Sequence, residues 1–125
     1  MADERMTDTG QAEPPGGLSI TATATEGIRV LTLAGEIDHH TCDRLTQALE
    51  LSGAARPRIV IDLRQVTFMD SSGLNVLILA YQGVTAADGW LRLAAPTDAV
   101  LRLLQLVGVD KLIECRPTLQ EALTA

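Results

Sequence analysis

The chain has 125 residues, enough for one domain, and its 46% apolar and 21% charged residues are the balance of an ordinary globular protein. Its 10 Lys and Arg against 16 Asp and Glu give a formal charge of −6, which lacks the electrostatic footprint for nucleic acid or anionic lipid. The aromatics are only Phe68, Tyr81 and Trp90, too few to stack single-stranded bases, so proteins are the expected partners. Cys42 and Cys115, without a CxxC spacing, exclude a disulfide framework and are expected to be half-buried thiols in a reducing compartment. No basic start followed by an apolar run marks a signal peptide, and the apolar stretch Val76 to Tyr81 falls far short of the ~20 residues that span a bilayer. The expected location is the cytoplasm, with no membrane and no nucleic acid among the partners.

Met1 to Gly17 is expected to be a disordered acidic tail. It carries Asp3, Glu4, Asp8 and Glu13 against Arg5, closes on Pro14-Pro15-Gly16-Gly17, and offers almost nothing apolar to repay ordering of its backbone. From Leu18 the pattern changes. Leu18, Ile20, Ala22 and Ala24 alternate with Ser19, Thr21 and Thr23, the period of a half-buried strand. Glu26-Gly27 is a turn signal and Ile28 to Leu33 resumes a β-rich run, so the two predict an antiparallel hairpin. Gly35 is expected to break the second strand. Cys42, Leu45, Ala48 and Leu49 then share one helical face, and Ser52-Gly53 is expected to end that helix.

Ile59-Val60-Ile61 is an unbroken β-branched run, as expected of a strand covered on both faces in a parallel sheet. A short connection is expected between this strand and Asp70-Ser71-Ser72-Gly73. A second helix follows, with Leu74, Leu77, Ile78 and Tyr81 on its apolar face. Gly89 punctuates, Trp90 to Ala94 predicts another strand, and Pro96-Thr97 opens a third helix with Val100, Leu103, Leu104 and Val107 inward. Gly108 is placed for a left-handed C-cap. Lys111 to Cys115 is the last predicted strand, and Thr118 with Glu121 forms a capping box for a terminal helix. The order β-β-α-β-α-β-α-β-α predicts one α/β domain over 18–125, a mostly parallel or mixed sheet of about five strands with about four helices.

The informative segment is Asp70-Ser71-Ser72-Gly73. On local physics Ser71 or Ser72 is a good N-cap, its hydroxyl accepting an orphan amide. The same geometry suits a modified serine, because a helix N-terminus tolerates a phosphate, which adds roughly −1.5 to −2 charges.

Asp70-Ser71-Ser72-Gly73-Leu74, with Gly35-Glu36-Ile37-Asp38-His39-His40 upstream, resembles an anti-sigma factor antagonist with a STAS domain. The resemblance runs from about Leu18 to Leu123 and takes in Asp62-Leu63 and the turn Gly108-Val109-Asp110-Lys111-Leu112. It implies that Ser71 is the phosphoacceptor and that Asp38, His39, Asp70, Ser72 and Gly73 form the partner-binding surroundings, with Ser72 also assigned to helix capping. It further implies a partner that is an anti-sigma factor with serine kinase activity, and a serine phosphatase that resets the switch. The protein would be a substrate and not an enzyme, with no cofactor of its own, since nucleotide and metal belong to the kinase. Two departures from the family pattern are Asn75, where glycine is common, and the face Gln82-Gly83-Val84-Thr85-Ala86, which lacks basic residues.

Other constellations weigh less. His39-His40 near Cys42 lacks the further ligands of a zinc site. A hydrolase at Ser71 would need a base, an orienter and the G-x-S-x-G elbow, which is absent. Asp70 as an aspartyl-phosphate acceptor lacks the acidic pair and lysine that such chemistry uses, and no P-loop is present. The alternative of another class is a STAS scaffold or soluble subunit of a membrane transporter that works without phosphorylation.

Overall fold

The computed structural model describes residues 17–50 and 55–124. The expected acidic tail (apart from Gly17) and the helix stop at Ser52-Gly53 lie outside the described residues. Strands β1 (Leu18–Thr25) and β2 (Ile28–Ile37) pair antiparallel through the Glu26-Gly27 turn. Both turn residues have positive φ, 51° and 81°, the two-residue geometry whose twist matches that of the strands it joins. Strands β3 (Arg58–Met69), β4 (Trp90–Ala94) and β5 (Glu114–Arg116) add in parallel, giving one mixed sheet in the order β1-β2-β3-β4-β5.

Helices α1 (Cys42–Ala48), α2 (Ser71–Ala86) and α3 (Asp98–Val107) connect the parallel strands. Leu45, Leu74, Leu77, Val100 and Leu104 from these helices share one apolar core with Leu31, Leu33, Ile59, Ile61, Leu63, Leu91 and Leu93 of the sheet. The alternate strand residues Ile28, Val30, Val60 and Ala94 point the other way and pack beneath the terminal helix α5 (Leu119–Leu123). The central strand is therefore buried on both faces from Ile59 to Leu63, as its β-branched run predicts. Each fully buried Leu or Ile contributes roughly 1.5–3 kcal/mol, so this stretch is the spine of the domain.

Several boundaries differ from expectation. Gly35 does not end β2, which continues to Ile37 with a register shift at Gly35/Glu36. Its φ of 114° and missing side chain admit the Gly17 carbonyl, which would lie 2.2 Å from a Cβ there and accepts the Glu36 amide at 3.1 Å. Because β2 continues, β3 has a partner beyond Leu63. It runs unbroken to Met69 with bulges absorbing the mismatch, so no connection precedes Asp70. On β1 only Leu18 and Ile20 meet the core, while Ala22 and Ala24 are exposed near the hairpin.

The third helix ends at Gly108 in the left-handed conformation, φ 80°, as expected. Val107, expected inward, is 53% exposed, because the next inward position is taken by Val109 on an extra short helix, α4 (Val109–Leu112). Val109 and Ile113 are both buried at helical spacing, so Lys111 and Leu112 belong to α4 and the last strand starts at Glu114. Five helices result among the described residues where about four were expected. On α2, Val84 is buried while Gln82, Thr85 and Ala86 face outward, so the proposed exposed face is interrupted by a core residue. Both cysteines are half-buried, and burial, with Asp110 adding to it, pushes the Cys115 thiol up to about 11.

Candidate functional site: the carboxyl ends of β2 and β3

Ile37 and Met69 are register partners at the ends of two parallel strands, and the Asp70 amide donates to the Ile37 carbonyl at 3.1 Å. The next residues, Asp38 and Asp70, thus emerge side by side from adjacent strands, which in a sheet lie about 4.8 Å apart. Each carboxylate folds back on its own loop. Asp38 Oδ1 accepts from the amides of His40 (2.9 Å) and Thr41 (3.1 Å). Thr41 Oγ1 accepts from the Asp38 amide (2.9 Å) and donates to the Glu36 carbonyl (2.9 Å). Partial desolvation pulls the Asp38 carboxyl up, but the His40 and Thr41 amides and the nearby His40 ring outweigh it, and the net result lies below the ordinary carboxylate value.

Asp70 has extended backbone angles and is itself the N-cap of α2. Its Oδ1 accepts from Ser72 N at 2.9 Å and Gly73 N at 3.3 Å. This corrects the assignment of the cap to Ser71 or Ser72: the carboxylate reaches two orphan amides from the residue before the helix, where a serine hydroxyl within the first turn faces away from them. Ser72 supplies its amide to the cap, and its residue is half-buried. Ser71 is the first residue of α2 and is exposed, and its hydroxyl makes no hydrogen bond among the described residues. Asn75, a turn further along α2, is exposed as well.

Gly73 is buried, and a Cβ there would come within 2.7 Å of Ile37 Cγ2 and 2.8 Å of Met69 Cγ. Its place is therefore beneath the surface, where it shapes the expected partner-binding surroundings from below: hydrogen in place of a side chain lets α2 start directly over the strand ends. His39 and His40 are exposed with their ring centroids 3.9 Å apart. Neither hydrogen-bonds Ser71, and no group of three or more metal-ligating side chains gathers among the described residues. Thr41, which locks the Asp38 loop, was not singled out from sequence, although Asp-x-x-Thr is a recognisable side-chain-to-backbone turn signal. Phe68 was also missed: its alternation with Val66 suggests burial, whereas a bulge at Thr67 leaves it 47% exposed.

Residues 19–122 match the STAS domain family. The anti-sigma-F factor antagonist RsfB of Mycobacterium tuberculosis is 32% identical over 111 residues, covering 88% of this chain and 90% of that protein. A crystal structure of an anti-sigma factor antagonist from Mycobacterium paratuberculosis superposes with a TM-score of 0.80 at 33% identity, covering 90% of this chain and 96% of that one. The anti-sigma factor antagonist SpoIIAA in its unphosphorylated form superposes with a TM-score of 0.67 at 26% identity, covering 83% and 92%. No helix among the described residues is long and apolar enough to cross a membrane. The family match over residues 19–122, the relatives at 32% and 33% identity and the small mixed-sheet domain agree: this chain belongs to the STAS domain family, among the anti-sigma factor antagonists.

Proposed function

We propose that this protein is a phosphorylation-controlled partner switch. Unmodified, it binds an anti-sigma factor that is also a serine kinase, and the sigma factor is released to direct transcription. The kinase transfers the γ-phosphoryl group of ATP to Ser71: the bond to ADP breaks, the Oγ–P bond forms, and the hydroxyl proton leaves to a base of the kinase. The phosphorylated protein lets go, and a serine phosphatase restores it by hydrolysis. All catalytic groups belong to those partners, and this chain acts as substrate.

The observation that carries the reading is the exposed, unbonded Ser71 hydroxyl at the start of a helix whose Ser72 and Gly73 amides are already taken by Asp70. A phosphate on Ser71 would not find those donors free. It would stand next to the Asp70 carboxylate, with Asp38 on the neighbouring strand end, and would add bulk and like charge to an acidic surface. Framework residues would stay in place while docking of a complementary basic surface is opposed. A discrimination of ~2–3 kcal/mol weakens affinity about 30- to 150-fold, enough to switch partners.

The test measures affinity for the cognate anti-sigma factor with wild-type, kinase-phosphorylated, Ser71→Asp and Ser72→Ala proteins. Loss of binding in the phosphorylated and Ser71→Asp forms, with Ser72→Ala close to wild type, is the expected result. Equal binding by the phosphorylated form, or phosphate located by mass spectrometry only on Ser72, would reject it.

A further inference from the structure

The last seven residues of β3 extend beyond its partner β4, whose pairing stops at Asp62 with Ala94. That edge is flanked instead by α3, tied on by a hydrogen bond of 3.1 Å from Thr97 Oγ1 to the Val66 carbonyl. Between the overhanging strand and the helix lies an apolar notch of about 240 Å³, lined by Phe68 with Ala99 and Leu103. Met69 turns into the core, while Phe68, three residues before Ser71, remains 47% exposed. Carboxylates border it on the side of the strand ends, and on α3 Asp98 shares a helical face with the exposed Arg102. Glu36 is the register partner of Phe68 on β2, Asp98 opens α3 beside Ala99, and Asp70 follows two residues after Phe68.

A single exposed apolar side chain is ordinary. An aromatic lining a notch, with carboxylates on its strand-end side and next to the exposed serine, is the anatomy of an interface: an apolar anchor point within a charged border. We infer that the Phe68 notch receives an apolar side chain of the anti-sigma factor, flanked on that partner by arginine or lysine residues that meet Glu36 and Asp70. The inference rests on the partner switch proposed above and names a second part of its surface. The notch supplies grip that is independent of the phosphate, and Ser71 supplies control. Phe68 thereby becomes a determinant of partner specificity, because an anti-sigma factor with a charged or bulkier group at the matching position would be refused.

The experiment uses full-length protein and the anti-sigma factor that wild-type protein captures, comparing Phe68→Ser, Phe68→Leu and Ser71→Asp by surface-based kinetics, with thermal melting of each variant. Phe68→Ser is expected to weaken binding about 10- to 30-fold, mainly through faster dissociation, while Phe68→Leu stays within about threefold of wild type. Melting temperatures of both should stay near wild type, and the Ser71→Asp discrimination should persist as a ratio in the Phe68→Leu background. Phe68→Ser binding like wild type while Ser71→Asp fails to bind would overturn the inference and leave the switch standing. Equal losses in Phe68→Ser and Phe68→Leu, or a loss matched by a collapse in melting temperature, would assign Phe68 to the framework and overturn it too. Wild-type protein that captures no anti-sigma factor would remove the switch and this inference together.

Discussion

The carboxyl ends of β2 and β3 and the α5 side of the sheet both gather charge, and they hold it by different means. At the strand ends, Asp38 and Asp70 accept hydrogen bonds from the amides of their own loops, which orient the carboxylates without neutralising them. Along β4 and β5, Arg92 pairs with Glu114 and lies 4.0 Å over the Trp90 ring, and its other donors reach the carbonyls of Ala122 and Thr124. Arg116 pairs with the same Glu114. There the charges are spent on one another and on fastening α5. The contrast is between charge left presentable and charge used as an internal clasp, and the proposed partner switch draws on the first.

The strongest way to break this comparison is at Asp62, which is 0% exposed and bound by Arg64 through both carboxylate oxygens. Arg64→Ala would leave a buried carboxylate with only the backbone amide at 64 as donor, and because the Arg64 side chain is itself 59% exposed, chemical denaturation should register a loss of about 2 kcal/mol, below the range of fully buried pairs. Binding to the anti-sigma factor by the molecules that remain folded should be unchanged. A loss under 1 kcal/mol would mean that the bulge lets water reach Asp62 and that the clasp description fails there.

Asp70→Ala should have the reverse profile. As a lost N-cap it is expected to cost about 1 kcal/mol of stability, while partner affinity falls by more than that stability change accounts for. Comparing denaturation with binding for this one variant decides whether the carboxylate is presented or merely structural.

The smallest expected effect is on pH dependence. Asp38 lies below the ordinary carboxylate value for the reasons given above, and Glu114 lies below it through the hydrogen bond from Arg116, partly offset by burial and reinforced by the charges of Arg116 and Arg92. A carboxylate depressed in the folded state contributes stability that is complete above its unfolded value, about 4, and that fades as pH falls through the lower folded value. Melting temperatures of wild type should therefore decline below about pH 4, and Asp38→Asn and Glu114→Gln should each flatten part of that decline. Asp38 is only half-buried and Glu114 is exposed, so each contribution is small. An acid limb identical in all three proteins would show that neither group is coupled to folding.

Much of the framework was legible in the sequence because periodicity follows directly from burial. The alternating residues around Glu26-Gly27 specify a hairpin, Ile59-Val60-Ile61 a central strand, and the helical spacing at Leu74 and Leu77 a face that must meet the sheet. The motif at Ser71 was legible for the same reason: a polar turn between a buried strand and an apolar-faced helix places its residues at a strand end. Boundaries were less legible where two segments depend on each other. Whether Gly35 stops β2 depends on Gly17 arriving beside it, and the length of β3 depends on β2 continuing.

The sequence by itself therefore determined which residues could be core, which turns must exist and that a serine stands at the head of α2. Only the tertiary structure decided that Asp70 and not a serine caps that helix, that Gly73 lies buried over Ile37 and Met69, and that Phe68 faces outward beside α3. The physical reason is common to all three. A local pattern fixes how a segment can satisfy its own backbone, but which of several competent side chains takes a given amide, cavity or surface depends on what a distant segment brings to the same place.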